Sequence, residues 1–291
     1  MVRYNPKDWF GLVFQFHKSD TFRQLGWVLL AFTAFALMVV AVELYFFDNM
    51  QFTSTTAIHS LLGFVIGLFL VFRTNTAYDR WWEGRKQWGA MVNNTRNFAI
   101  KISAAAPGDE VSLRYFQRMV PNYVFAFKEH LRQGINFSEL MDLSESEKSR
   151  YEAAEHVPNL IASDLYARLH KMYREEAISG DQLLTLDKEL KSLTDILGAC
   201  ERIRNTPIPY SYSLFLKKFI FVYTATLPFG LAFDFGWMAV PICTFVLYVF
   251  GSIELLAEEI EDPFGRDSND LPTDDLSHKI RNNVAEIIGL S

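Results

Sequence analysis

The sequence predicts an all-α membrane protein with four transmembrane helices and a helical cytosolic domain. Three observations carry this. Half of the 291 residues are hydrophobic, 26 of them Phe, yet the mean hydropathy is only +0.06, so the apolar residues are segregated rather than spread. Four apolar runs lie in two pairs, one near each end of the chain. The polar stretch between them is rich in Glu, Lys, Arg and Leu at helical spacing, and no strand-like alternation interrupts it.

The elements follow in chain order. Residues 1–22, "MVRYNPKDWFGLVFQFHKSDTF", start polar and lack a small-residue cleavage site, so a cytosolic N-terminal segment is expected rather than a signal peptide. Residues 23–80 hold the first two spans. Leu25 to Phe47 is interrupted only by Glu43, and Ala57 to Phe72 reaches spanning length if it starts near Thr55 and runs past Arg73. Residues 81–210 form the helical cytosolic domain. In it Leu183, Leu184, Leu186, Leu190, Leu193, Ile196 and Leu197 share one broad face of an amphipathic helix. Ser163-Asp164 and Gly180-Asp181 read as helix starts. Residues 211–256 hold spans three and four, Phe219–Phe235 and Trp237 to Leu256, split by the turn signal "DFGW". Residues 257–291 form a cytosolic C-terminal segment containing "EDPFGRDSNDLP".

Loop 48–56 has no Lys or Arg, whereas 73–218 carries most of the basic residues. The positive-inside rule then puts both termini and the middle region in the cytoplasm of a multi-pass protein of the cell (inner) membrane. A net charge of −6 argues against a nucleic-acid partner. Cys200 and Cys243 read as packing residues rather than a disulfide. There is no phosphate-binding loop, nucleophile elbow, HExxH or CxxC, and the six His show no metal-ligand spacing, so an enzyme is not expected.

Two ionisable residues fall in or beside the spans. His59 reads either as a functional group, since desolvation makes it costly, or as a residue near water at the outer helix end. Glu43 reads as touching water or a neighbouring helix. In the second span Phe64, Leu68 and Phe72 recur every four residues, with Ser60 before and Thr76 and Arg80 after. Steps of four drift by ~40°, giving one slowly rotating stripe. Gly63 and Gly67 form a G-x-x-x-G beside it, which permits close helix approach. The stripe suits lipid contact or monomer core, or a pore-lining face whose stacked apolar rings gate by dewetting.

"AYDRWWEGRKQWG" (77–89), "NTPIPYSYSLFLK" (205–217) and "AEEIEDPFGRDSNDLP" (257–272) together resemble the bestrophins, most closely the prokaryotic members. The resemblance covers essentially the whole chain; the Arg-Phe-Pro triplet of animal members is absent. It implies a homopentamer around one central pore, four spans per subunit, in a lipid bilayer. By position, the family's neck of three apolar rings looks like Phe64, Leu68 and Phe72. The second, cytosolic constriction falls at Asp181, where homologues often carry an aliphatic residue. A ring of five carboxylates there favours cations, although Asp181 also reads as the cap of a helix beginning at Gln182. The function expected is a channel passing small monovalent ions, with cation selectivity favoured. An anion (chloride) channel, or a scaffold without conductance, is the alternative. No cofactor is required by this reading. Animal members bind Ca2+ through an acidic clasp after the Asn-Pro-Phe-Gly equivalent, and carried over position by position its carboxylates match Asp267 and Asp270. Carbonyl ligands fall near Glu259, Asp262 and the start of the chain. Ser268, Asn269 and Arg266 replace the clasp's other acids, which weakens the site for a cation that wants six to eight oxygens. The other reading of this segment is a helix-ending turn.

Overall fold

The computed structural model describes residues 20–46, 55–132 and 134–289. Nine α-helices occur among them: α1 (Asp20–Phe46), α2 (Thr56–Ala105), α3 (Glu110–Leu131), α4 (Glu145–Glu152), α5 (Val157–Arg174), α6 (Gly180–Asn205), α7 (Tyr210–Phe235), α8 (Ala239–Glu261) and α9 (Thr273–Ile288), and no strand is found among the described residues. The expected N-terminal segment up to residue 19 and most of loop 48–56 lie outside the described residues. The chain divides into two compact units, one of Val2–Arg80 with Pro207–Glu261 and one built mainly of Trp81–Thr206 with Asp262–Ser291.

The first unit is inverted relative to a water-soluble bundle. Three stretches among the described residues are long and apolar enough to cross a membrane: Thr21–Phe46, Thr56–Ala105 and Gly180–Glu261, with mean hydropathies of 2.5, 1.8 and 1.9 in their most apolar windows. The last contains both α7 and α8. Their large side chains are mostly outward: Trp27, Tyr45, Leu61, Phe221 and Phe245 are all exposed. An apolar surface this extensive is not left in water, so this is a membrane protein. Inside, Ala36 and Val40 of α1, Ile66 and Leu70 of α2, Leu216, Ile220 and Leu227 of α7 and Cys243 of α8 form the core. The turn between α7 and α8 lies where "DFGW" places it. Gly236 closes α7 at φ +54°, and its N–H reaches Ala232 O; a side chain there would be strained.

The second unit packs around α3, whose residues from Met119 to Glu129 are all buried. Trp88 stacks on Phe127 at 5.1 Å, and Phe98 meets Phe116 edge-on at 5.1 Å. Tyr123 donates to Leu193 O at 2.8 Å, tying α3 to α6. Cys200 is buried and free, as is Cys243, and burial pushes the Cys200 thiol up to about 12, so it packs rather than reacts.

One helix start differs from expectation, and at the other, where α6 begins at Gly180 as expected, only the capping residue differs. α6 is capped by Ser179, whose side chain accepts from Gln182 N–H while the Gln182 side chain accepts the Ser179 N–H. That reciprocal box leaves Asp181 in the first turn, exposed, and removes it from the capping role. Ser163-Asp164 lies inside α5 rather than at its start. The cap is His156, and Asp164 instead accepts from Tyr151 Oη at 2.6 Å and from Arg150. The second apolar run also does not end its helix near residue 80. α2 continues for 50 residues, because the change from apolar to charged side chains contains no proline and leaves the backbone ladder intact.

Candidate functional site

The second-span stripe faces away from its own bundle. Ile66, Leu70, Arg73 and Ala77 form the buried face of α2. Phe64, Leu68 and Phe72 are offset from that face by two residues, or ~200° of helix rotation. Their exposures are 71%, 47% and 56%. The monomer-core reading of the stripe is therefore removed, and the face is available to lipid or to other subunits. Of the two stripe-flanking glycines, only Gly63 meets a neighbour within the chain: a Cβ there would lie 2.7 Å from Tyr223 Oη. Gly67 has open space around it.

Directly below Phe72 sits a group that the sequence pattern did not single out. Arg73 is 2% exposed and pairs with Glu261 at 2.7 Å and with Glu254, itself 4% exposed, at 3.6 Å. Glu261 also accepts from Ile208 N–H at 2.7 Å through its other oxygen, and its carbonyl accepts from Arg80 Nε at 3.2 Å. One buried cation thus fixes the lower end of the stripe to α8 and to the start of α7. The available signal was Glu254, an acid inside an apolar run, which requires a partner.

At the other end of this segment, His59 lies within 3.1 Å of Thr55 O and 3.3 Å of Thr226 Oγ1. It is a polar contact between the first turn of α2 and α7. Glu43 is half-buried, and its Oε2 is shielded without a hydrogen-bond partner among the described residues.

The post-span loop splits its two carboxylates. Asp267 is exposed, whereas Asp270 is 2% exposed. Asp270 Oδ2 accepts the Asp267 N–H at 2.6 Å, and its Oδ1 is buried with no hydrogen-bond partner among the described residues. Burial raises the Asp270 carboxyl to about 6. Arg266 does not oppose this pair directly; it reaches Glu129 at 3.2 Å. A cavity of about 400 Å³ opens beside the loop, lined by Glu139, Asp267, Asp270 and Asp274 among others. The orphan Oδ1 and the exposed Asp267 fit a cation donor set in part. Of the carbonyls carried over with them, Glu259 O lies in the last turn of α8, and the start of the chain is outside the described residues.

The ionised Asp270 is disfavoured by the fold, so stability contributed below pH 4 is lost as pH rises through about 6. Asp270→Asn is expected to abolish this loss, which is worth up to about 3 kcal/mol. Thermal unfolding of both proteins between pH 4.5 and 8 checks it, and parallel pH profiles would count against the assignment.

The two most distinctive motifs touch. Gly84 of "WWEGR" lies so close to Phe264 and Pro263 of "DPFG" that a Cβ would be 3.1 and 3.2 Å from them. Trp81 Nε1 donates to Asn269 O at 3.0 Å, and Arg132 Nε donates to Phe264 O at 3.3 Å. These contacts join the segments into one structural unit.

The family model described as bacterial/fungal bestrophin protein matches residues 1–286. The chain belongs to the bacterial/fungal bestrophin family. Among relatives of this bestrophin, a voltage-dependent anion channel-forming protein of Nostoc is 37% identical over 98% of the chain and 93% of the relative. One from Escherichia coli K12 with the same description is 31% identical over 96% and 91%. The solved structure of a bacterial bestrophin homologue from Klebsiella pneumoniae is similar at a TM-score of 0.84 with 27% identity, covering 90% of this chain and 98% of that one. The family resemblance read from the three motifs is therefore correct, and this bestrophin is an all-helical membrane protein.

Proposed function

We propose that this bestrophin forms an ion-conducting pore, assembled as a homopentamer with four spans per subunit and lined by the Phe64–Leu68–Phe72 face of α2. The observation that carries the reading is the outward apolar stripe set on a helix anchored by a buried Arg73. Stacked apolar rings on a rigid helix make a constriction that opens by wetting. The permeant class proposed is an anion, a reading supported by the names of the relatives, which are voltage-dependent anion channel-forming proteins. Both termini are assigned to the cytoplasmic side of the inner membrane by the distribution of Lys and Arg.

The cation preference expected from Asp181 has no support in those names, but one observation keeps it as the second reading: Asp181 is exposed and relieved of capping by Ser179. Calcium at Asp267 and Asp270 is likewise proposed, as a regulatory ion on the orphan Oδ1; no conduction step depends on it.

Purified protein in planar bilayers tests the proposal. Phe64→Ala, Leu68→Ala and Phe72→Ala together are expected to raise conductance severalfold; unchanged current would remove α2 from the pore. Under a KCl gradient the reversal potential is expected near the chloride equilibrium value. A reversal near the potassium value that shifts in Asp181→Asn would establish the cation reading instead. Absence of current in both wild type and triple variant would favour a scaffold.

A further inference from the structure

Two clusters of candidate metal ligands occur among the described residues, and they differ in one decisive respect. Glu129, Glu139 and Asp274 converge, but Lys128 Nζ already occupies their centre at 3.1, 2.7 and 2.7 Å. That cluster carries its own cation. His130, His156 and Glu201 converge as well, and among the described residues no lysine or arginine side chain is bonded within this cluster. His130 Nε2 is 2.7 Å and His156 Nε2 2.8 Å from the same carboxylate oxygen, Glu201 Oε1. The two imidazoles lie 4.3 Å apart, tilted by 35°.

We propose that His130, His156 and Glu201 bind a first-row transition metal ion of the zinc class. Two imidazoles and one carboxylate with an open position are a donor set for zinc, or for cobalt and nickel, and unsuited to calcium or magnesium, which take all-oxygen shells. All three side chains are partly exposed, so water completes the coordination. A tetrahedral ion with bonds of ~2.0–2.1 Å holds its ligand atoms about 3.3 Å apart. The present nitrogen–oxygen contacts therefore widen by about half an ångström, which side-chain rotation supplies.

The protons are accounted for. Asn159 N–H points at His156 Nδ1 at 3.3 Å, which places the ring proton on Nε2, where it is donated to Glu201. On metal binding that proton moves to Nδ1 and the long cap contact is given up, and the proton that His130 Nε2 donates to Glu201 moves to His130 Nδ1 in the same way. Burial lowers the basicity of His130. Arg204 Nη1 donates to His130 O at 2.9 Å. Its positive charge moderates the affinity without occupying the ligand position.

The three ligands come from the end of α3, the cap of α5 and the last turns of α6, so the ion staples three helices. This explains why no motif was visible. The ligands are far apart in sequence, and only packing brings them together.

The test uses the full-length protein in detergent, with Zn2+ and Co2+ as probes. After dialysis against ZnCl2, one zinc per chain is expected by elemental analysis. Co2+ loading should give visible absorption bands of a four- or five-coordinate nitrogen–oxygen site. The paired substitution His130→Ala/His156→Ala should lower affinity by at least about 100-fold, and Glu201→Gln should do so while keeping the shape of the cluster. His170→Ala, an exposed histidine of α5, should bind as wild type. Zinc stoichiometry or cobalt spectra unaltered in Glu201→Gln and in the paired variant, or no zinc retained by the wild type, would overturn the site.

Discussion

Replacing Arg73 with Met is expected to destabilise the membrane-spanning unit by about 3–5 kcal/mol, because the substitution strands a buried carboxylate. Glu254 is only 4% exposed and loses the cation that pairs with it at 3.6 Å among the described residues. Glu261 is less affected, since Ile208 N–H still satisfies one of its oxygens. The cost is therefore concentrated on one residue and is reversible by design. Adding Glu254→Leu to Arg73→Met should recover most of the loss, since a matched apolar pair is often as stable as a buried ion pair. Thermal unfolding of the four proteins of this cycle gives the coupling directly. Additive effects of the two substitutions would show that Arg73 and Glu254 do not act as a pair. A second readout bears on the pore. If Arg73 sets the lower end of the stripe, Arg73→Met should broaden the distribution of single-channel conductances even at temperatures where the protein is folded.

The second large effect is at Lys128. Its ammonium is 1% exposed and holds Glu129, Glu139 and Asp274 together. Lys128→Met is expected to cost ~3 kcal/mol, toward the lower end for a broken buried pair. Arg132 limits the damage, since it also reaches Glu129 at 3.2 Å and Asp274 at 2.8 Å. The hydrogen bonds from Arg132, and after them that from Lys128, hold the Asp274 carboxyl well below the ordinary carboxylate range against the opposing effect of burial. A depressed carboxylate contributes stability above its unfolded value near pH 4 and loses it as pH falls through the folded value. The wild type should therefore lose stability on acidification below pH 4, and Lys128→Met should lose less, because part of that contribution is already gone. Denaturant titrations at pH 3 and pH 7 measure both; equal losses in the two proteins would remove Lys128 from the network.

Much of the fold was legible from hydropathy and periodicity. The apolar runs, the absence of strands and the amphipathic face of α6 all rest on local patterns, and local patterns survive folding. The stripe on α2 was legible for the same reason, since a helix fixes which residues share a face. Boundaries were less so. Ser179 outcompetes Asp181 as a cap because the Gln182 side chain closes a reciprocal pair, a three-residue effect that residue type alone does not reveal. What could not be read were groups joined only by packing: Arg73 with Glu254, Lys128 with Asp274, and His130 with His156 and Glu201. In each case the partners are distant along the chain, and only the folded helices define the pairing.

Gly84 and Phe264 have a consequence for how this chain can vary. A Cβ on Gly84 would lie 3.1 Å from the Phe264 ring and 3.2 Å from Pro263, tighter than ordinary contact. A side chain at 84 is accommodated only as far as the Phe264 ring and Pro263 give way by a few tenths of an ångström. Two motifs separated by most of the chain are thus mechanically coupled: what one can accommodate depends on the other.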